Sequence, residues 1–330
     1  MKKIFKAKPR NMKHFNTFIY FFICFFLFQQ NAKADCTTAV NPSDSMALVN
    51  LYNTTNGNSW VVNNGWLTGN VTEWYGVEVD DNCRVVELNL GSLLLTGSLP
   101  NLELPELTHL ELSNNQLFGL LPNFDNLTKL VSLQLSDNNF NSTLPSFENL
   151  PNLENINLRG NEFIGTLPTY ETLTSLKTLN LSNNSLIGTV TNLQLPMLEN
   201  LNLSGNNFEG TLPDFDTLSS LKELRLSQNG LTALTNFSNL QNLETLYLDH
   251  NEIGGNLLDF SNLGNLIELN LSHNNMNGTL IDFSNLGNLE NLNLSFNELT
   301  GELLDFSNLL NLKSLDISNN LFFGGLLDFN

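Results

Sequence analysis

The chain has 330 residues, enough for one or two ordinary domains, and sets 33 Asp+Glu against 14 Lys+Arg for a formal charge of −19. Such a chain repels phosphate backbones, which excludes nucleic acid as a partner. Charged residues make up only 14% of it, amid abundant Asn, Ser and Leu, so an acidic disordered tail is excluded as well.

From the N terminus, seven basic residues (Lys2, Lys3, Lys6, Lys8, Arg10, Lys13, Lys33) fall within the first 34 positions, where no Asp or Glu occurs. The basic stretch to His14 runs into the apolar segment Phe15 to Phe28, and Ala32 and Ala34 stand where a signal peptidase reads small residues. That layout predicts a secretory signal over 1–34, cleaved between Ala34 and Asp35. Read as an uncut anchor, the apolar run spans only about 21 Å of a roughly 30 Å hydrocarbon core. Asp35 beside Cys36 argues against a lipid anchor, and no later segment is long and apolar enough to span a bilayer. The mature chain is therefore expected to be secreted or at the cell surface. With 7 basic residues left against 33 acidic ones, its formal charge is −26. Cys24 leaves with the signal, so Cys36 and Cys83 remain and are expected to form a disulfide. The bridge closes a loop worth roughly 3–4 kcal/mol in the chain-entropy model.

Residues 35–84 form a small unit of their own. Pro42-Ser43-Asp44 starts a helix with Ala47, Leu48, Leu51 and Tyr52 on one apolar face. Asn56-Gly57 turns the chain, and Trp60, Trp66 and Trp74 are available to plug the end of whatever follows. A sugar-binding platform is the competing use of three tryptophans.

From Val85 to Asn330 the chain is one repeat. L-x-L-x-x-N recurs with its Asn at 115, 138, 161, 184, 206, 229, 251, 274, 297 and 320, at intervals of 22 or 23 residues. A degenerate first copy puts Leu93 at the Asn position and brings the count to eleven. The L-x-L alternation predicts a short strand with both leucines inward. The Asn ends the strand, and its amide can satisfy backbone groups of neighbouring coils, giving a buried ladder. Glycines such as Gly165 and Gly188 permit a tight bend. Phe124, Phe147, Phe215, Phe237, Phe260, Phe283, Phe306 and Phe329 recur at one slot, with Tyr170 and Leu193 substituting, and predict an apolar spine under the convex side. Asp214, Asp259, Asp282 and Asp305 just before that Phe suit the cap of a short helical turn. No single unit can cover its own leucines; only its neighbours can.

These units resemble leucine-rich repeats, nearest the LxxLxLxxNxLxGxLP subtype of plant and bacterial extracellular proteins. The resemblance implies an α/β solenoid, with a curved parallel β-sheet on the concave face and short helical turns on the convex one. The stretch Asp44 to Val77 likewise resembles the N-terminal cap of those proteins. The plant cap carries cysteines at the positions held here by Thr72 and Val79; their replacement, with Cys83 nearby, points towards bacterial surface proteins. The last five residues stop inside a unit that still matches the repeat, so the sequence is expected to be a fragment or truncated product, or its last coil to be covered by a partner.

No catalytic constellation, phosphate loop or metal-type cysteine spacing is present in the sequence, so no catalytic residue, no metal ligand and no cofactor is expected. The row Asp259, Asp282, Asp305 and Asp328 could be drawn as a Ca²⁺ ladder, but turn capping accounts for it. What remains is a surface. Ser136, Asn157, Asn180, Asn202, Asn270 and Asn293 make the concave rows small and polar. Neighbouring coils break that monotony with the rows Arg225, Tyr247, Asn270, Asn293 and Gln228, His250, His273, Phe296, with Asp249 and Glu268 beside them. Tyr, Arg and exposed Phe anchor interfaces, so Arg225, Tyr247, Asp249, His250, Glu268, His273 and Phe296 are the expected ligand-binding residues. The resemblance implies a non-enzymatic binding protein for a protein, peptide or glycan. Two alternatives stand beside it: an inhibitor of an extracellular enzyme, similar to polygalacturonase-inhibiting proteins, and an adsorber to ice or another surface through its regular rows.

Overall fold

The computed structural model describes Cys36 and residues 40–324. The expected signal at 1–34, the spine residue Phe329 and the last acidic row member Asp328 lie outside the described residues. Each L-x-L phrase forms a short strand, of three residues in all but the first, whose inward leucine or isoleucine is sealed from solvent in every coil but the last, in the register Leu88, Leu110, Leu133, Ile156 and onward. Eleven such strands, from β2 (Val85–Asn89) to Ser314–Asp316, pair in parallel. The antiparallel β1 (Val77–Val79) closes the N-terminal edge of this 12-stranded sheet. Burial of a leucine contributes roughly 1.5–3 kcal/mol, and here each coil supplies the cover for the next.

The asparagines hold the inner bend. In Asn206, for example, Oδ1 accepts from the Leu186 N–H at 3.1 Å, while Nδ2 donates at 3.0 Å to the carbonyls of Leu181 and Leu203. The same pattern repeats at Asn138, Asn161, Asn251, Asn274 and Asn297. Beyond each asparagine the chain enters a second set of short parallel strands, such as Ser185–Gly188 against Asn207–Thr211, which L-x-L periodicity alone does not reveal.

On the convex side the expected helical turns are successive i→i+3 turns, as in Leu127 N to Phe124 O and Leu130 N to Leu127 O, both 2.8 Å. The spine aromatics stack between coils, Phe147 on Tyr170 at 6.2 Å and Phe237 on Phe260 at 6.3 Å. Two turn chemistries divide this spine, one in the earlier coils and one in the later ones. In the L-P-x-F and L-P-x-Y coils Phe124, Phe147, Tyr170 and Phe215 take positive φ. In the D-F-S coils Asp259, Asp282 and Asp305 accept the N–H of the serine two residues on, at 2.8 Å, and the Phe keeps ordinary backbone. Asp214 precedes one of the positive-φ aromatics and caps nothing.

Helix α1 (Pro42–Thr54) starts where Pro42 is expected, with Asn41 as its cap accepting from Ser43 N at 2.9 Å. Ala47, Leu48, Leu51 and Tyr52 are its buried apolar face, as the spacing predicts. Asp44, also fully buried, takes Arg84 bidentately at 2.9 Å and the Val85 N–H at 3.0 Å, tying the helix to β2. Trp60, Trp66 and Trp74 are all buried, with ring centroids 4.8 and 4.9 Å apart along the series and indole N–H groups bonded to backbone carbonyls. A sugar platform needs open indole faces, and these have none. The unit joins the first coil through Val61 N to Leu93 O and Thr96 N to Thr55 O. Cys36 and Cys83 are bonded.

Candidate functional site

The residue just before each ladder asparagine, and before Leu93 in the first coil, lies on a left-handed backbone. Ser92, Asn114, Asp137, Gly160, Asn183, Gly205, Gln228, His250, His273, Phe296 and Asn319 all have φ between 53° and 66°. Ser, Asn, Asp and Gly suit that conformation, by small size or local hydrogen bonding. Four consecutive coils depart from them, and Phe296 departs furthest: a bulky residue there costs about 1–2 kcal/mol.

Three of the departing side chains form a stack. The rings of His250 and His273 lie parallel at 4.2 Å, and those of His273 and Phe296 at 4.2 Å, while Phe296 remains 47% exposed. Asp249 anchors one end. Its carboxylate accepts from Ser227 Oγ at 2.6 Å and from His250 Nδ1 at 2.9 Å, which leaves Nε2 as the free nitrogen of that ring.

The adjacent row carries a second cluster. Arg225 lies 4.5 Å over the Tyr247 ring, a cation–π pair, with its Nε 3.3 Å from Glu223. The Tyr247 hydroxyl donates to Glu268, whose other oxygen accepts from Asn291 at 3.0 Å. Burial first, and then the Glu268 carboxylate, push the Tyr247 phenol up to about 12, against the opposing pull of Arg225. The seven expected residues thus fall into two assemblies, Arg225–Tyr247–Glu268 and Asp249–His250–His273–Phe296. Sequence reading missed Glu223, Ser227 and Asn291, which hold members of both; their signal was only that they share the rows beside the leucines. Among the described residues no group of three or more His, Cys, Asp or Glu is placed to hold a metal ion.

The family model described as Leucine Rich Repeat matches at 106–127, 129–150, 175–194, 197–217, 242–263 and 288–309. The chain is built of leucine-rich repeats. Its sequence has no significant match among curated proteins. Among solved structures, this leucine-rich-repeat chain is similar to the Arabidopsis receptor kinase HAESA in complex with the peptide hormone IDA and the co-receptor SERK1. That match has 29% identity and a TM-score of 0.67 over 86% of this chain and 54% of that one. It is similar to a plant ice-binding protein at 26% identity and a TM-score of 0.72, covering 87% of this chain and 97% of the other. It is also similar to a leucine-rich-repeat protein of Leptospira interrogans at 34% identity and a TM-score of 0.55, covering 71% and 66%. The repeat chain spans about half the length of the HAESA chain it matches. Among the described residues no helix is long and apolar enough to cross a membrane.

Proposed function

We infer that this is a secreted or surface-exposed, non-enzymatic recognition protein that binds a protein or peptide on its concave sheet, at Arg225, Tyr247, Asp249, His250, Glu268, His273 and Phe296. The observation that carries this reading is the exposed His250–His273–Phe296 stack, which interrupts a row held in the other coils by Ser, Asn, Asp, Gly and Gln. Half-exposed aromatics beside an Arg are the residue types that dominate binding energy at interfaces. The likeness to HAESA, a structure holding a peptide hormone, supports a peptide-sized partner. The basic leader with its apolar run, and the Cys36–Cys83 bond, support secretion.

The test is selection of a displayed random peptide library on the mature chain, followed by binding to a variant carrying Tyr247→Ala and Phe296→Ala. Selected peptides are expected to lose at least tenfold in affinity; undiminished binding to the variant overturns the site. A second reading, adsorption to ice, is favoured by the likeness to the plant ice-binding protein over nearly that protein's whole length.

A further inference from the structure

The residues that precede the concave strands repeat one arrangement along the solenoid. From Lys177 to Lys313 each donates its N–H to the carbonyl of its counterpart one coil back, at 2.7–2.9 Å, so neighbouring side chains of this row stand side by side. A glutamate here is followed, one coil on, by a lysine that pairs with it. Lys177 holds Glu154 at 2.8 Å, Lys222 holds Glu199 at 2.7 Å, and Lys313 holds Glu290 at 2.5 Å. Glu244 is the exception. Its successor is Ile267, although the backbone is the same there, with Ile267 N on Glu244 O at 2.8 Å. Among the described residues the Glu244 carboxylate has no hydrogen bond and no ion pair.

Where the row lacks its lysine there is a groove of about 290 Å³, lined by Glu244, Asn265, Ile267, Asn288, Glu290 and Asn311. The three asparagines spend Nδ2 donors on carbonyls of the preceding coil, those of Gln241, Gly264 and Gly287, at 3.0, 2.9 and 2.7 Å. Their amide oxygens accept from nothing among the described residues. The groove therefore offers acceptors: an unpaired carboxylate, three amide oxygens, and Glu290, already shared with Lys313. Its apolar part is the half-buried Ile267. What fits is a group that brings positive charge and N–H donors on an aliphatic stem. An ammonium with three donors at the end of four methylenes has that chemistry. A bare divalent cation fits worse, since an aliphatic side chain gives it no oxygen in place of its water.

We propose that this groove is a subsite for a lysine side chain of the bound partner, which stands where the row lacks a lysine of its own. The partner's ammonium pairs with Glu244, as Lys177, Lys222 and Lys313 pair with the other glutamates, and its stem lies along Ile267. Ile267 directly precedes Glu268, whose carboxylate holds Tyr247, so the subsite borders the concave site. The proposal rests on the reading of that face as a protein- or peptide-binding surface, and adds to it a preference for one side chain.

The test uses a single residue as its probe, so it does not depend on the concave ligand. Nα-acetyl-lysine amide is titrated into the mature chain at constant ionic strength, and the side-chain amide resonances of Asn265, Asn288 and Asn311 are followed. The parent is expected to show saturable shifts there that the Nε-acetylated probe does not produce. Ile267→Lys fills the groove from within the chain and is expected to weaken the probe at least tenfold, as is Glu244→Gln, which removes the carboxylate. Met46→Lys makes the same charge change as Ile267→Lys at an exposed position of α1, and is expected to leave the affinity within twofold of the parent. No saturable shift in the parent, or equal binding by the Ile267→Lys and Met46→Lys variants, overturns the subsite. A displayed library that yields no peptide dependent on Tyr247 and Phe296 overturns the concave reading instead, and leaves the result with the lysine probe as it stands.

Discussion

Phe296 and Tyr170 break local rules in opposite settings, and the contrast says what each is for. Phe296 accepts a left-handed backbone while remaining half exposed, so its ring contributes stacking of about 0.5–1.5 kcal/mol against a conformational cost of similar size. Phe296→Asn is therefore expected to leave the unfolding free energy within about 0.5 kcal/mol of the parent in urea titration. Loss of the fully buried Phe140 ring, as in Phe140→Ala, is expected to cost about 4 kcal/mol. An exposed aromatic that stability does not need is a candidate for binding. Tyr170 is the reverse: it sits in the phenylalanine spine with its hydroxyl buried and without a hydrogen-bond partner among the described residues, and burial drives its phenol up. Tyr170→Phe is expected to raise stability by about 1 kcal/mol in the same assay. Tyr247 makes a pH prediction. Its folded phenol is pushed from 10.0 up to about 12, so the neutral form favours the folded state below pH 10, and that contribution is lost as pH rises through about 12. Glu268→Gln is expected to move the phenolate absorbance transition down towards 10 but not to it, because burial is the larger cause.

At the scale of the coil, the residues preceding each strand form a charge ladder along the solenoid. Glu154, Lys177, Glu199, Lys222 and Glu244 alternate in sign, with Lys177 on Glu154 at 2.8 Å and Lys222 on Glu199 at 2.7 Å. The alternation lapses at Ile267, which lies between Glu244 and Glu290 in a shallow pocket with Asn265, Asn288 and Asn311. Ile267→Lys restores the pattern with one cation between two carboxylates. It is expected to raise stability by about 0.5 kcal/mol at low salt, an increment that fades at high ionic strength. A flat salt response would mean that the ladder is decorative. The two convex turn types show the same local economy: L-P-x-F forces the aromatic into the left-handed region, whereas D-F-S lets a carboxylate satisfy the serine N–H and spares the aromatic.

For the whole molecule, stability is a sum over coils and the contacts between them, so the ends matter more than in a globular domain. The N-terminal end is held by the Asp44–Arg84 pair, the buried indoles and the Cys36–Cys83 bond. Reduction of that bond, or Cys36→Ala/Cys83→Ala, is expected to cost the N-terminal unit about 3–4 kcal/mol. Hydrogen exchange should report the loss first in α1 and β1 and last in the central coils; uniform acceleration along the chain would show that the solenoid unfolds as a single unit.

The sequence by itself determined the solenoid, because the repeat is written within 22 or 23 residues and each slot has a local reason: alternation for the strand, an amide for the ladder, a proline or aspartate for the outer turn. It also placed Arg225 beside Tyr247 and His250 beside His273, because constant register turns intervals in sequence into neighbours in space. Only the tertiary structure decided the rest. The stacking of His250, His273 and Phe296, the hold of Glu268 on Tyr247, the burial of Asp44 against Arg84 and the gathering of Asn265, Asn288 and Asn311 about Ile267 all depend on how far one coil is displaced and turned relative to the next. That displacement is set by side chains from two coils packing together, and no single repeat contains it.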